Sequence, residues 1–289
     1  MANQAEGLEL GTVAGPAVDA GVHTIAVASG KGGVGKTNVV ANLAVALQRH
    51  GRRVVVVDAD LGLANVDTLL GLNPRATLRH VLRGECAIQD TVVEGPAGIR
   101  VVPAASGFEE LTQLSHEQRL HLLAQVDSLE GSCDVVLIDT GAGISQNVLF
   151  FATAAQQTLV VVTPDPTSLT DAYALIKVLA TRYAERSFGV LVNMARSEWE
   201  ARRTFTQLLR VAERFLHVSL DWVGWVPLDP EVGEAVRRQQ AVLDLAPGAP
   251  ASRAFREVAE RLARGPETRT PKGGLQFFFA RLLARRQDG

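Results

Sequence analysis

The segment richest in chemistry is Gly30-Lys31-Gly32-Gly33-Val34-Gly35-Lys36-Thr37, followed by Asn38. Its four glycines let successive backbone N–H groups turn inward around an anion. It matches GxxxxGK[ST], a pattern that is informative only between a strand and a helix. Both are present, because Thr24–Ser29 is a β-branched run and Thr37–His50 reads as a helix. A helix N-terminus adds partial positive charge to such a loop. Lys36 is placed to reach the β- and γ-phosphates of a nucleotide, and the Thr37 hydroxyl to ligate Mg²⁺. Lysine otherwise occurs only at Lys31, Lys177 and Lys272, arginine supplying the remaining cations. Two lysines within six residues therefore point to a task that needs a compact charge, such as gripping phosphate.

Three carboxylates belong with this loop. Asp58 and Asp60 stand at the end of the apolar run Val54–Val57, and Asp139 follows Val135–Ile138. Strands of this kind, apolar without alternation, suit the centre of a parallel sheet covered on both faces. Their C-terminal ends share the ligand edge, where a nucleotide–Mg²⁺ site needs carboxylates for metal-bound waters and for the attacking water. At the same edge, Asn193 ends a later strand, and Pro227-Leu228-Asp229 follows another.

The remaining pattern supplies the scaffold. Further strands are predicted at 99–103, 134–139, 158–163, 188–193 and 220–226, with helices at 115–128, 168–183 and 198–215. This alternation predicts α/β architecture: one doubly wound, mostly parallel sheet in a single P-loop domain over residues 23–264. Residues 1–22 read as a flexible N-terminal arm. Residues 265–289 read as a Gly/Pro-punctuated linker and a C-terminal amphipathic helix. In that helix Leu275, Phe278, Phe279, Leu282 and Leu283 share a face, flanked by Arg281 and Arg285. Aromatics with arginines suit a membrane surface, although packing on the chain's own domain or on a partner would also cover them.

Composition excludes several classes. The net charge of -2 gives no overall attraction to nucleic acid, and direct nucleic-acid binding is not expected. No apolar stretch reaches the ~18–20 residues of a transmembrane helix, and the N-terminus has no signal-peptide pattern. Cys86 and Cys133 form no closely spaced pair, so neither a disulfide framework nor an iron–sulfur site is implied. The chain reads as cytoplasmic.

KGGVGKT resembles the deviant Walker A motif of the MinD/ParA ATPases, P-loop proteins of the SIMIBI class. The resemblance implies that Lys31 reaches across an ATP-dependent dimer to the partner's nucleotide. It makes Asp60 the switch I residue that positions the lytic water. Asp58 becomes its neighbour near Mg²⁺, and Asp139 the Walker B aspartate ahead of Gly141-Ala142-Gly143. Asn193 and Pro227–Asp229 fall at the adenine contacts. Within the group, DADLGLANVDTLLG at 58–71, PAASG at 103–107, DTGAGIS at 139–145 and above all PTSLTDAYALIK at 166–177 resemble the flagellar-number regulators FleN and FlhG.

That family implies a slow, dimer-dependent ATPase, peripherally associated with the membrane, with a polar location among its expectations. It antagonises a flagellar AAA+ transcription activator, works with a flagellar SRP-type GTPase, and contacts C-ring proteins. The family's N-terminal DQAxxLR motif is only partly kept here: Gln4, Ala5 and Leu8 match, while Asn3 replaces Asp and Glu9 reverses the charge of Arg. MinD-type division-site ATPases, ParA-type partitioning ATPases and a non-hydrolysing ATP-bound scaffold are the alternatives.

Overall fold

The computed structural model describes residues 22–62, 65–104, 114–129 and 131–264. The N-terminal arm, Ala105–Gly107 and the C-terminal segment from residue 265 lie outside the described residues. Eight strands form one sheet: β1 (His23–Ser29), β2 (Val54–Ala59), β3 (Val93–Glu94), β4 (Arg100–Val102), β5 (Val135–Ala142), β6 (Gln157–Val162), β7 (Ser187–Ala195) and β8 (Ser219–Pro227). Their order is β3-β4-β2-β5-β1-β6-β7-β8. Only the β3–β4 pair is antiparallel; the other pairs are parallel. The doubly wound, mostly parallel sheet expected from the sequence is therefore present.

The helices are α1 (Lys36–Arg49), α2 (Val66–Leu69), α3 (Leu78–Leu82), α4 (His116–Asp127), α5 (Gln146–Ala154), α6 (Pro166–Tyr183), α7 (Glu198–Leu216), α8 (Pro230–Arg237), α9 (Val242–Leu245) and α10 (Pro250–Arg264). The central strands are buried on both faces, as their unbroken apolar runs require. Val54, Val56, Val135 and Leu137 pack with α1 and α10. Their neighbours Val55, Val57, Val136 and Ile138 pack on the other side with α4 and α5. To the right of β1, Val160, Val162, Val190 and Val192 meet α6 and α7. Among the described residues, no helix is long and apolar enough to cross a membrane.

Two differences from the sequence reading have physical causes. Asp139 does not end its strand: β5 continues to Ala142, because Ser29 pairs with Ala142 across an irregularity in β1 and accepts the Gly143 N–H at 2.8 Å. Helix α6 starts two residues earlier than Ser168. Asp165 caps it by accepting the Thr167 N–H, and Pro166 occupies its first turn, where a missing N–H costs nothing.

Candidate nucleotide site

The phosphate loop runs from the end of β1 into α1. Gly33 and Gly35 adopt φ of +79° and +80°, a region that L side chains rarely occupy. Gly35 stands at the N-cap of α1 with no side-chain cap. The first N–H groups of the helix therefore remain for a ligand. Gly30 lies tight against the backbone of α6: a Cβ there would come within 2.1 Å of Asp171. Below the loop, Asn193 donates its Nδ2 to the Val34 carbonyl oxygen at 2.8 Å, and its amide lies against Gly35.

The loop opens into a cleft of about 780 Å³, lined by Lys31–Asn38, Asp60, Asn65, Gly141, Asn147, Val236 and Gln239 among others. Lys36 is buried and its Nζ sits 2.5 Å from Asp139 Oδ1. Asp139 is 1% exposed, and burial pushes its carboxyl above the usual aspartate range while the Lys36 charge pulls it down. The Thr37 side chain lies beside the same carboxyl and favours its charged form. Asp139 Oδ2 is buried without a hydrogen-bond partner. An unpartnered carboxylate oxygen beside a hydroxyl is a donor set that fits a hard cation such as Mg²⁺.

Asp58 pairs with Asp139 in the β2–β5 register and is fully buried. Burial and the Asp139 charge push its pKa up to about 8. Its Oδ1 accepts the Asp60 N–H at 3.0 Å, and its Oδ2 accepts those of Asn65 at 3.0 Å and Val66 at 3.2 Å. Asp58 thus wraps the following loop around its own carboxyl. That loop presents Asp60 at the cleft, with its Oδ1 facing Gly141.

Lys31 lies at the cleft mouth. Its ammonium pairs with Asp165 Oδ2 at 2.7 Å and donates to the Thr167 hydroxyl. The Lys31 hydrogen bond, with help from Thr167, holds Asp165 down at about 2. Within one chain, then, Lys31 is held against the start of α6. Asp165 and Thr167 were not among the expected site residues; the signal was the Asp-Pro-Thr-Ser sequence, an N-cap followed by a proline at the first helical position.

Of the expected base-side residues, Leu228 is exposed and its N–H bonds the Ala195 carbonyl at 2.9 Å. Asp229 accepts the N–H groups of Glu231 and Ala251 at 3.0 and 2.9 Å, so its carboxylate fastens α8 to α10. Neither Asn193 nor Pro227–Asp229 lines the cleft described above.

The CobQ/CobB/MinD/ParA nucleotide binding domain model matches residues 25–256, and the chain belongs to that family as a FleN/FlhG-like member of its MinD/ParA ATPases. It is 48% identical over 268 residues to the antiactivator FleN of Pseudomonas aeruginosa, covering 93% of this chain and 96% of that protein. It is 35% identical over 263 residues to the flagellum site-determining protein YlxH of Helicobacter pylori, covering 90% and 89%. Among solved structures, the septum site-determining protein MinD of Pyrococcus horikoshii, complexed with Mg-ADP, matches with a TM-score of 0.72. That match has 27% identity and covers 86% of this chain and 99% of the other.

Proposed function

We propose that this chain is an ATP-hydrolysing dimerisation switch that regulates flagellar number. The observation that carries the switch is the placement of Lys31. It lies at the mouth of the nucleotide cleft with its ammonium taken up by Asp165 and Thr167 of its own chain. Half-exposed, it can exchange that partner for another at small cost, because exposed ion pairs contribute little. The new partner is the triphosphate of a second copy, to which Lys31 supplies charge in trans, as an arginine finger does. The dimer then forms only when ATP is present, and hydrolysis dissolves it.

The other residues act in cis. The loop N–H groups and Lys36 bind the phosphates. Lys36 leaves Asp139 as it does so, exchanging one anion for another. Thr37 and Asp139, with Asp58 beside them, would hold Mg²⁺, which neutralises charge on the phosphates. Asp60 orients the attacking water. Asn193 and Pro227–Asp229, outside the phosphate cleft, are assigned to the base by the family resemblance alone. The flagellar role is supported by the likeness to the proteins named FleN and YlxH. The proposed partners are a flagellar AAA+ activator that the switch antagonises, a flagellar SRP-type GTPase and C-ring proteins, and the amphipathic pattern of residues 265–289 is the reason for adding a membrane surface.

Gel filtration with Mg-ATP tests the switch. Wild type should dimerise with ATP and not with ADP, and Asp60→Ala should give an ATP dimer that persists without turnover. A wild type that binds ATP yet remains monomeric refutes the switch. Turnover equal in wild type and Asp60→Ala removes Asp60 from its role.

A further inference from the structure

Helix α8 ends on an irregularity that reaches into the nucleotide cleft. Gln239 adopts φ +55° just past the helix, with its N–H bonded to the Val236 carbonyl and the Gln240 N–H bonded to Ala235, both at 3.0 Å. This is the helix-terminating arrangement in which the left-handed residue is ordinarily glycine, since a side chain there is strained. A side chain is nevertheless present, and it has a partner: Gln239 Nε2 donates to the Thr68 carbonyl oxygen at 2.9 Å. Thr68 belongs to α2, four residues long and far too short to persist on its own hydrogen bonds.

The two ends of that turn are fastened by side chains from elsewhere. At its start, Asp58 accepts the N–H groups of Asn65 and Val66. At its end, Gln239 takes the Thr68 carbonyl. Gly71, at φ +64°, lets the chain turn against Gln239: a Cβ there would lie 3.4 Å from the Gln239 Cβ. Gln239, Thr68 and Asp60 all line the one cleft. An amide suits the post, because it donates to a neutral carbonyl without adding charge to the cleft that Asp60 lines.

We propose that Gln239 is a positioning residue for hydrolysis: it latches the end of α8 to α2 and so steadies the wall of the cleft that carries Asp60. Since α8 runs without a break from Asp229, at the end of β8, to this latch, it joins the base side of the sheet to the water-positioning aspartate. The inference rests on the ATPase reading above.

Two variants of the full chain test it. Gln239→Gly removes the latch while relieving the strained φ, so the fold is not put at risk. Gln239→Met keeps the length of the side chain and removes the donor without adding charge to the cleft. In both, amide exchange over Val66–Gly71 should speed up by about threefold or more, the size expected for one exposed hydrogen bond. The kcat for ATP should fall by a similar factor, with KM changed less than about twofold. A merely structural role would leave that split unseen. Unchanged exchange, or faster exchange with wild-type turnover, overturns the proposal. Should the wild type hydrolyse no ATP, the ATPase reading fails by itself, and the exchange rates alone then uphold or overturn the latch.

Discussion

Lys36 and Asp139 form a buried ion pair that exists before any nucleotide arrives. Removing one member of such a pair strands a charge in a poorly solvated site, whereas removing both does not. Lys36→Met should therefore cost about 3–5 kcal/mol of unfolding free energy without nucleotide, and adding Asp139→Leu should recover most of it. Denaturant titrations of the two proteins check this; equal stability of the double and single variants would refute it. Asp58 gives a pH signature. Its pKa is about 8 in the fold against an ordinary 3.8, so between these values the folded chain holds one proton more than the unfolded chain. A raised carboxyl pKa contributes stability that is full below the unfolded value and is lost as pH rises through the folded one. Without nucleotide, stability should fall by roughly 1 kcal/mol per pH unit between about pH 5 and 8 from this group, and level off above it. Asp58→Asn should lack that component in denaturation measured across the same range. At this scale the sequence placed the glycine-rich loop between β1 and α1, and Asp58 and Asp139 on neighbouring strands, where the structure has them. It could not show that Asp58 spends its oxygens on three backbone N–H groups, because those bonds depend on how the following loop folds back.

At the scale of elements, α6 is the piece that gives the phosphate loop its shape. It touches the loop twice, once where Gly30 meets the Asp171 backbone and once where Asp165 and Thr167 hold Lys31. Between these contacts Ser168 accepts the Thr163 N–H at 3.0 Å, and Ala172 is fully buried. PTSLTDAYALIK, recognisable in the sequence only by likeness, thus has a physical content: a capped start that parks a lysine, then a small residue beside the seat for Gly30. Asp165→Ala removes both a helix cap and the lysine's partner. It should lower stability by about 1 kcal/mol through the lost cap. It should also shift the dimerisation midpoint to lower protein concentration at saturating ATP, since Lys31 no longer has a competing site. Sedimentation velocity measures the second effect; an unchanged midpoint would show that the pair does not restrain the lysine. Strand positions were legible because apolar runs of β-branched residues leave little alternative. The antiparallel β3, two residues long, and the helices α2, α3, α5, α8, α9 and α10 were not marked out as elements. Short pieces carry little periodicity, and α10 is placed by its packing: Phe255, Val258 and Leu262 close the face shared with α1.

For the whole molecule, the catalytic core and the flanking segments make separate claims. Residues 265–289 are proposed to bring the dimer to a membrane surface. Deleting residues 274–289 should weaken ATP-dependent pelleting with anionic liposomes and leave ATP binding unchanged. Equal pelleting of the full and shortened chains would remove the membrane role without touching the switch. The switch itself depends on Lys31 acting on a neighbour's nucleotide, and mixing two inactive variants tests that most directly. Lys31→Ala lacks the donated lysine, and Asp60→Ala lacks the water-positioning carboxylate. In a mixed dimer, the Lys31→Ala subunit keeps its own Asp60 and receives Lys31 from its partner. The ATPase rate of an equal mixture should rise to about a quarter of wild type, because half the dimers are mixed and each has one complete site. A mixture no faster than the sum of the two variants alone would contradict donation across the dimer.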